Sequence, residues 1–329
     1  MTQSRARSLV ARTAAPLTRS RKTGPPGSLR SNPPRKSKRT GANRATASFA
    51  LLYDVIRWEE KAIAQAAEKR GVKVTLVDLK EMEISLTGAG PNPKVAEKIV
   101  LQRCVSHYRN LYSTAALEAA GHTVVNSLHT AWNSGDKLLC TLALKRAGVP
   151  TPATHVAFTE EGAMRALGEL GYPAVLKPAV GSWGRLAALL KDEDFAKAII
   201  EDREYMHPIY QVYYLQEYVK RPPRDIRTFV IGDRTVAGIY RKSVGDWRTN
   251  TARGGKAEPC KITKEIDDIS VRAAKAVEGR FVGVDLMESK EGLVCHEVNN
   301  TTEFKNSVPA TGIDIPGLAV EYLASLDKR

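Results

Sequence analysis

Two short runs near the C-terminus decide how this chain reads: Val282-Gly283-Val284-Asp285-Leu286-Met287 and, a few residues on, His296-Glu297-Val298-Asn299. Both are strand-like, and Lys290-Glu291-Gly292 between them suits a hairpin turn. Residues two apart on a strand share a face, so Glu297 and Asn299 point the same way. Antiparallel pairing can bring Asp285 alongside them. Two carboxylates and an amide oxygen on one surface make an all-oxygen donor set of the kind Mg²⁺ prefers, with water and phosphate completing the shell. The same residues would also serve as the solvated polar face of an edge strand. Spacing alone does not separate the two readings.

Upstream lies a second hairpin, 226–231 and 235–241, turning at Gly232-Asp233. It is preceded by a strand-like run over 210–219 that ends in Gln216-Glu217-Tyr218-Val219, and then by the basic link 220–224. Asp225 and Arg227 open the hairpin and Arg241 closes it; Arg248, Asn250 and Arg253 follow in a glycine-bearing loop. Arginines at a strand end and in such a loop suit a γ-phosphate or an acyl phosphate, although each alone is equally a solvated cation. Further upstream, Ser134 is expected to cap a helix over 136–147 that carries Lys137. Lys177 ends a buried strand over 174–177, where α/β proteins present ligand-binding groups. Gly181-Ser182-Trp183-Gly184 forms a glycine loop whose N–H groups could close over phosphates. It lacks the GK[ST] ending of a Walker A loop.

The N-terminal part of the body reads strand 49–53, helix 58–70, strands 72–77 and 99–105, helix 108–120 and strand 123–125. That βαβ order predicts a parallel α/β domain over 49–131. An α+β unit over 132–215 follows, with helices over 160–170 and 193–200 and strands over 174–177 and 186–190. A second α+β unit over 216–329 holds both hairpins, a helix over 267–277 and a last helix after Pro316.

The chain has 329 residues, 43% of them apolar, which is enough for two or three packed domains. No run approaches the roughly 20 apolar residues of a membrane span. Four scattered cysteines form no CxxC pair, which suits core thiols in a reducing cytoplasm. The formal net charge of +14 is concentrated in residues 1–48, which carry twelve Lys or Arg and no acid; residues 49–329 are left with +2. That Ser-, Pro- and Gly-rich tail cannot bury enough surface to fold and should be disordered. It reads as a basic arm for nucleic acid, as an organellar transit peptide, or as an upstream extension that the working protein lacks.

Taken in order, Ser134-x-Asp136-Lys137, Val175-Leu-Lys177-Pro178, Gly181–Gly184, Gln216–Val219, Asp225-Ile-Arg227, the Arg248/Asn250 loop and the Asp285…Glu297-x-Asn299 hairpin resemble the ATP-grasp ligases. The run from Leu52 to Glu60, the strand from Leu101 to Ser106, and Glu303-Phe304-Lys305-Asn306-Ser307 are similar to one part of the RimK-like branch. That part contains the α-aminoadipate–LysW ligases of lysine biosynthesis. The resemblance covers residues 49–329. It implies an ATP-grasp fold: an N-terminal parallel α/β (pre-ATP-grasp) domain, and ATP bound between two α+β lobes.

It also implies residue roles. Lys137 and Lys177 would bind phosphates, and Gly181, Ser182, Trp183 and Gly184 would form a mobile loop over them. Gln216, Glu217, Tyr218 and Val219 would hold adenine through backbone groups, with Asp225 near the ribose and Arg248 and Asn250 by the phosphates. Two Mg²⁺ ions would sit on Asp285, Glu297 and Asn299. Arg241, Glu303, Phe304, Lys305, Asn306 and Ser307 would form the substrate side, with Arg241, Lys177 and Asn250 catalytic.

The implied reaction activates the γ-carboxylate of the C-terminal Glu of a small acidic carrier protein as an acyl phosphate. The α-amine of a dicarboxylic amino acid then displaces the phosphate. In this family the pair after Glu-Phe-Lys is Asn with Thr or Phe in α-aminoadipate enzymes, and Gly with an aromatic in glutamate enzymes. Asn306-Ser307 leans to α-aminoadipate. Glutamate, both amino acids, a ribosomal-protein glutamate ligase and, from a different class, a basic nucleic-acid-binding protein are the alternatives. A homo-oligomer is expected from the branch, and no membrane association. Asp285 and Glu297 are expected at a solvent-facing cleft, so that alanine at either position abolishes turnover and leaves the fold intact.

Overall fold

In the computed structural model, residues 47–327 are described, apart from 89, 182, 183, 244, 246 and 250–255. The expectations for the basic tail and for Ser182, Trp183 and Asn250 therefore lie outside the described residues. The elements are β1 (Ser48–Tyr53), α1 (Trp58–Lys69), β2 (Lys73–Asp78), β3 (Ile99–Gln102), α2 (His107–Ala119), β4 (Thr123–Val125), α3 (Leu128–Gly135), α4 (Lys137–Arg146), β5 (Thr154–Ala157), α5 (Glu160–Leu170), β6 (Ala174–Lys177), β7 (Ala188–Leu190), α6 (Glu193–Glu204), β8 (Tyr213–Glu217), β9 (Arg224–Ile231), β10 (Arg234–Lys242), β11 (Lys256–Pro259), α7 (Lys264–Ala276), β12 (Phe281–Ser289), β13 (Gly292–Asn299), α8 (Ser307–Thr311) and α9 (Ile315–Leu326).

They form three sheets, ordered β2-β1-β3-β4, β5-β8-β6-β7 and β11-β10-β9-β12-β13. The first is parallel throughout. Its central strand β1 is a continuous apolar run because both faces are covered. Phe49 and Leu51 pack under Ile63, Ala66 and Ala67 of α1, while Ala50 and Leu52 face Leu117 of α2. The other two sheets are antiparallel. The core on the α1 side of the first sheet is shared with the third sheet. Phe229, Ile231, Phe281 and Phe304 join it, as do Ile315, Ala319, Val320 and Leu323 around α9. Asn126 ties the same two parts together: its side chain accepts from the N–H groups of Arg280 and Phe281 and donates to the carbonyls of Phe281 and Asn300.

Three local expectations are corrected. Ser134 does not cap α4, because α3 runs on through it and its hydroxyl bonds back to the Thr130 carbonyl at 2.6 Å. Asp136 caps α4 instead, accepting from the N–H groups of Leu138 and Leu139. The strand expected over 186–190 shortens to 188–190, because Leu186 takes the left-handed conformation with φ 57°. Helix α3 and strands β5 and β11 were missed: each is short, β5 and β11 are edge strands, and the partner of β5 is distant in sequence. Among the described residues, no helix is long and apolar enough to cross a membrane.

Candidate active site

A cleft of about 600 Å³ opens between the three sheets. Its floor is a row of cross-strand partners. Arg241 on β10 lies opposite Asp225 on β9, Arg227 opposite Asp285 on β12, and Asp285 opposite Glu297 on β13. Asn299 faces Gly283, so Asp285, Glu297 and Asn299 share one face of the hairpin, as their spacing anticipates. The register shifts between Asp285 and Leu286, leaving His296 as the extra residue of a bulge that also borders the cleft.

The row is bound by alternating charge. Arg241 donates to Asp225 from Nε at 2.7 Å and Nη2 at 2.8 Å, and its Nη2 lies 3.1 Å from Asp285 Oδ2. Arg227 holds Asp285 from the other side through Nε and Nη2, the latter at 2.7 Å. Burial works to raise the pKa of Asp285. Arg227 and Arg241 outweigh it and hold this carboxyl well below the usual carboxylate range. Burial likewise works against the charge on Arg241, but Asp225 and Asp285 drive its pKa up.

Asp285 lines the cleft as expected, but it is only 2% exposed, which corrects the expectation of a solvent-facing side chain. Its loss would leave Arg227 without its carboxylate partner, whereas Arg241 keeps Asp225. Glu297 does face the cleft, with its side chain 24% exposed. Asp225 lines the cleft, but its oxygens are taken by Arg241 and the Thr249 hydroxyl, so this structure gives it the work of fixing Arg241.

Two lysines stand above this floor. Lys137 Nζ is 3.8 Å from Glu297 Oε1 and donates to the Gly181 carbonyl at 2.6 Å. Arg248 Nη1 donates to the Gly184 carbonyl at 3.2 Å, so both described ends of the glycine loop are tethered to cleft cations. Lys177 Nζ donates to Gln216 Oε1 at 2.7 Å. Burial lowers the Lys177 pKa to about 8; Glu297 opposes the shift and Lys137 adds to it. Burial also holds His296 well below its usual value, with Lys177 adding to the effect, and its Nε2 has no hydrogen-bond partner.

Gln216, Glu217, Tyr218 and Val219 are not among the residues lining the described cleft. Gln216 reaches it only through Lys177, and the Glu217 side chain caps the Ala153 N–H. Phe304 is also corrected as a substrate contact. It is fully buried, edge-on to Trp58, while Glu303, Lys305, Asn306 and Ser307 border the cleft. Arg227, read from the sequence only as one of several arginines suited to phosphate, and Thr249, Glu59 and Asn110, which were not singled out as site residues, all line the cleft. Only Arg227 had a legible signal: in Asp225-Ile226-Arg227 the period of two puts both charges on one strand face.

Among the described residues, no trio of His, Cys, Asp or Glu forms a metal site. The candidate donors are two carboxylates and one amide on a shared face, with Asp285 held ionised and its oxygens engaged by Arg227 and Arg241 in this structure. This is a hard, all-oxygen set that fits Mg²⁺ and not zinc.

Sheets arranged in this way around a cleft of lysines, arginines and paired carboxylates have the layout of the ATP-grasp enzymes. The model described as the RimK-like ATP-grasp domain matches residues 134–323, and that described as the LysX preATP-grasp domain matches residues 49–132. The chain belongs to the RimK-like ATP-grasp family and is an ATP-dependent carboxylate–amine ligase. It is 36% identical to the α-aminoadipate–LysW ligase LysX of Sulfurisphaera tokodaii, over 84% of this chain and 96% of that protein. It is also 36% identical to the glutamate–LysW ligase ArgX of the same organism, over 83% of this chain and 96% of that one. Among solved structures, the RimK domain protein of Sphaerobacter thermophilus superposes with a TM-score of 0.68 at 25% identity, covering 84% of this chain and 99% of that one.

Proposed function

We propose that this ligase joins the α-amine of α-aminoadipate to the γ-carboxylate of the C-terminal Glu of a small acidic carrier protein of the LysW kind, in the cytoplasm. The observation that carries the reading is the bordering of the cleft by Glu303, Lys305, Asn306 and Ser307 beside the Asp285–Glu297–Asn299 face. The similarity to both LysW ligases supports the carrier, and the Asn306-Ser307 pair favours the longer amino acid.

In this reading, Lys137, Lys177 and Arg248 neutralise the ATP phosphates, and the 181–184 loop lies over them. A carboxylate oxygen of the carrier attacks the γ-phosphorus and the bond to the β-phosphate oxygen breaks, releasing ADP. Arg241, fixed by Asp225, stabilises the charge on the acyl phosphate. The amine nitrogen then attacks the acyl carbon, the carbon–oxygen bond breaks, phosphate departs and the nitrogen gives up its proton. Two Mg²⁺ ions on Asp285, Glu297 and Asn299 would supply Lewis-acid neutralisation of the phosphate oxygens. The chain itself contributes mainly position and fixed charge.

The deciding experiment incubates the enzyme with ATP, a carrier ending in Glu, and α-aminoadipate or glutamate, and weighs the carrier by mass spectrometry. An adduct of one α-aminoadipate, with ADP release dependent on both carrier and amino acid, is expected. A glutamate adduct alone reassigns the amino acid, and no adduct with either overturns the reading.

A further inference from the structure

One wall of the cleft comes from the N-terminal sheet, and it grips the segment that borders the proposed amino-acid side. Glu59, in the first turn of α1, is 4% exposed and lines the cleft. Its Oε1 accepts from two consecutive backbone N–H groups, Phe304 at 3.1 Å and Lys305 at 2.9 Å. Arg103, 1% exposed, donates from Nη2 to the Thr302 carbonyl at 3.0 Å and is itself held by Glu60. Arg57 bonds Glu60 and extends to Glu303 at 3.4 Å. The Phe304 ring is wedged edge-on against Trp58. Residues 302–305 belong to no strand, so these side chains stand in for the ladder partners that a buried backbone requires. Asn306 and Ser307 follow at once, at the entry to α8, and both border the cleft.

We infer that Glu59 is a positioning residue for amino-acid selectivity: by fixing the Phe304–Lys305 backbone it sets the depth at which Asn306 and Ser307 meet the substrate side chain. The inference rests on the proposed function, in which these two residues belong to the amino-acid side. One methylene in a pocket is discriminated by only about 10–200-fold, so a small shift of this pair is enough to erase the preference. Reach is what matters: the acceptor must span from α1 to two N–H groups at once.

Glu59→Gln keeps that reach and an acceptor oxygen, whereas Glu59→Asp keeps the charge and withdraws the oxygen by one methylene. Both are mild enough to fold. Three quantities are read in each: the ratio of kcat/KM for α-aminoadipate over glutamate, ATP affinity, and substrate-free amide exchange across residues 302–306. Glu59→Asp is expected to lower the ratio about tenfold or more, to speed exchange and to leave ATP affinity unchanged, with Glu59→Gln close to wild type in all three. Wild-type ratio and exchange in Glu59→Asp overturn the inference. A raised amino-acid KM in Glu59→Gln with Glu59→Asp near normal also overturns it, since the charge would then act directly on the substrate. If the wild type turns over neither amino acid, the proposed function fails. The exchange data still decide whether Glu59 holds the segment.

Discussion

Asp285 shows how one side chain can serve both the chemistry and the fold. It is the hinge of the Arg241–Asp285–Arg227 row and nearly inaccessible. Asp285→Ala should therefore cost about 3–5 kcal/mol by leaving the largely buried Arg227 without its counter-charge, read as a fall in urea midpoint. Glu297→Ala, at the open side, should lose turnover with a stability change within about 0.5–1 kcal/mol. Equal stability losses in the two variants would contradict this division. Lys177 gives a pH signature. Its pKa is lowered from 10.5 to about 8, so between those values the unfolded chain binds a proton that the native one does not. Native stability from this group therefore rises with pH across that window. The ammonium that attracts phosphate is lost over the same range. ATP affinity, followed by titration calorimetry, should weaken above about pH 8 in the wild type and lose this dependence in Lys177→Met.

At the scale of elements, the β12–β13 hairpin depends on a missing side chain. Gly283 lies opposite Asn299, and a Cβ there would collide with the Thr302 hydroxyl and stand 3.0 Å from Thr302 Cβ and 3.2 Å from Arg227 Cδ. Neither neighbour is free to retreat, since Arg227 is committed to Asp285 and the Thr302 carbonyl to Arg103. Gly283→Ala should cost about 1–3 kcal/mol by overpacking, seen as a lower Tm, with a fall in turnover because Arg227 must shift. A variant with unchanged Tm would show that the loop at 302 yields easily.

At the scale of the molecule, α9 packs against β1 and α1 of the first sheet. Ala319, Val320 and Leu323 share a core with Phe49, Leu51 and Ile63. The N-terminal sheet is thus capped by the last helix, and residues 49–131 expressed alone would expose that apolar surface. We expect calorimetry of the full chain to show one transition coupling the first and third sheets, and the isolated 49–131 fragment to show no cooperative unfolding. A fragment that melts sharply by itself would count against this. The buried Arg103–Glu60 pair crosses the same boundary through Thr302, so this shared core supports the cleft wall directly.

The sequence by itself determined the pattern of elements and the hairpin face that carries Asp285, Glu297 and Asn299, because period-two spacing fixes which side chains share a strand face. Glu297 with Asn299 and Asp225 with Arg227 could be read that way, and the apolar run at 49–53 announced a strand covered on both sides. Only the tertiary structure decided what those residues do to one another. The pairing of β9 with β12 turned Asp285 from an open ligand into the centre of an ion-pair row. Phe304 became an anchor because α1 lies over it. Glu59, unremarkable in an acidic first turn, reaches backbone 245 positions away. Such long-range contacts leave no trace in local spacing, since burial and partner choice are set by how the sheets stack. The residues around Asp285, Glu297 and Asn299 could be found from spacing, but the grip that holds the segment beside them could not.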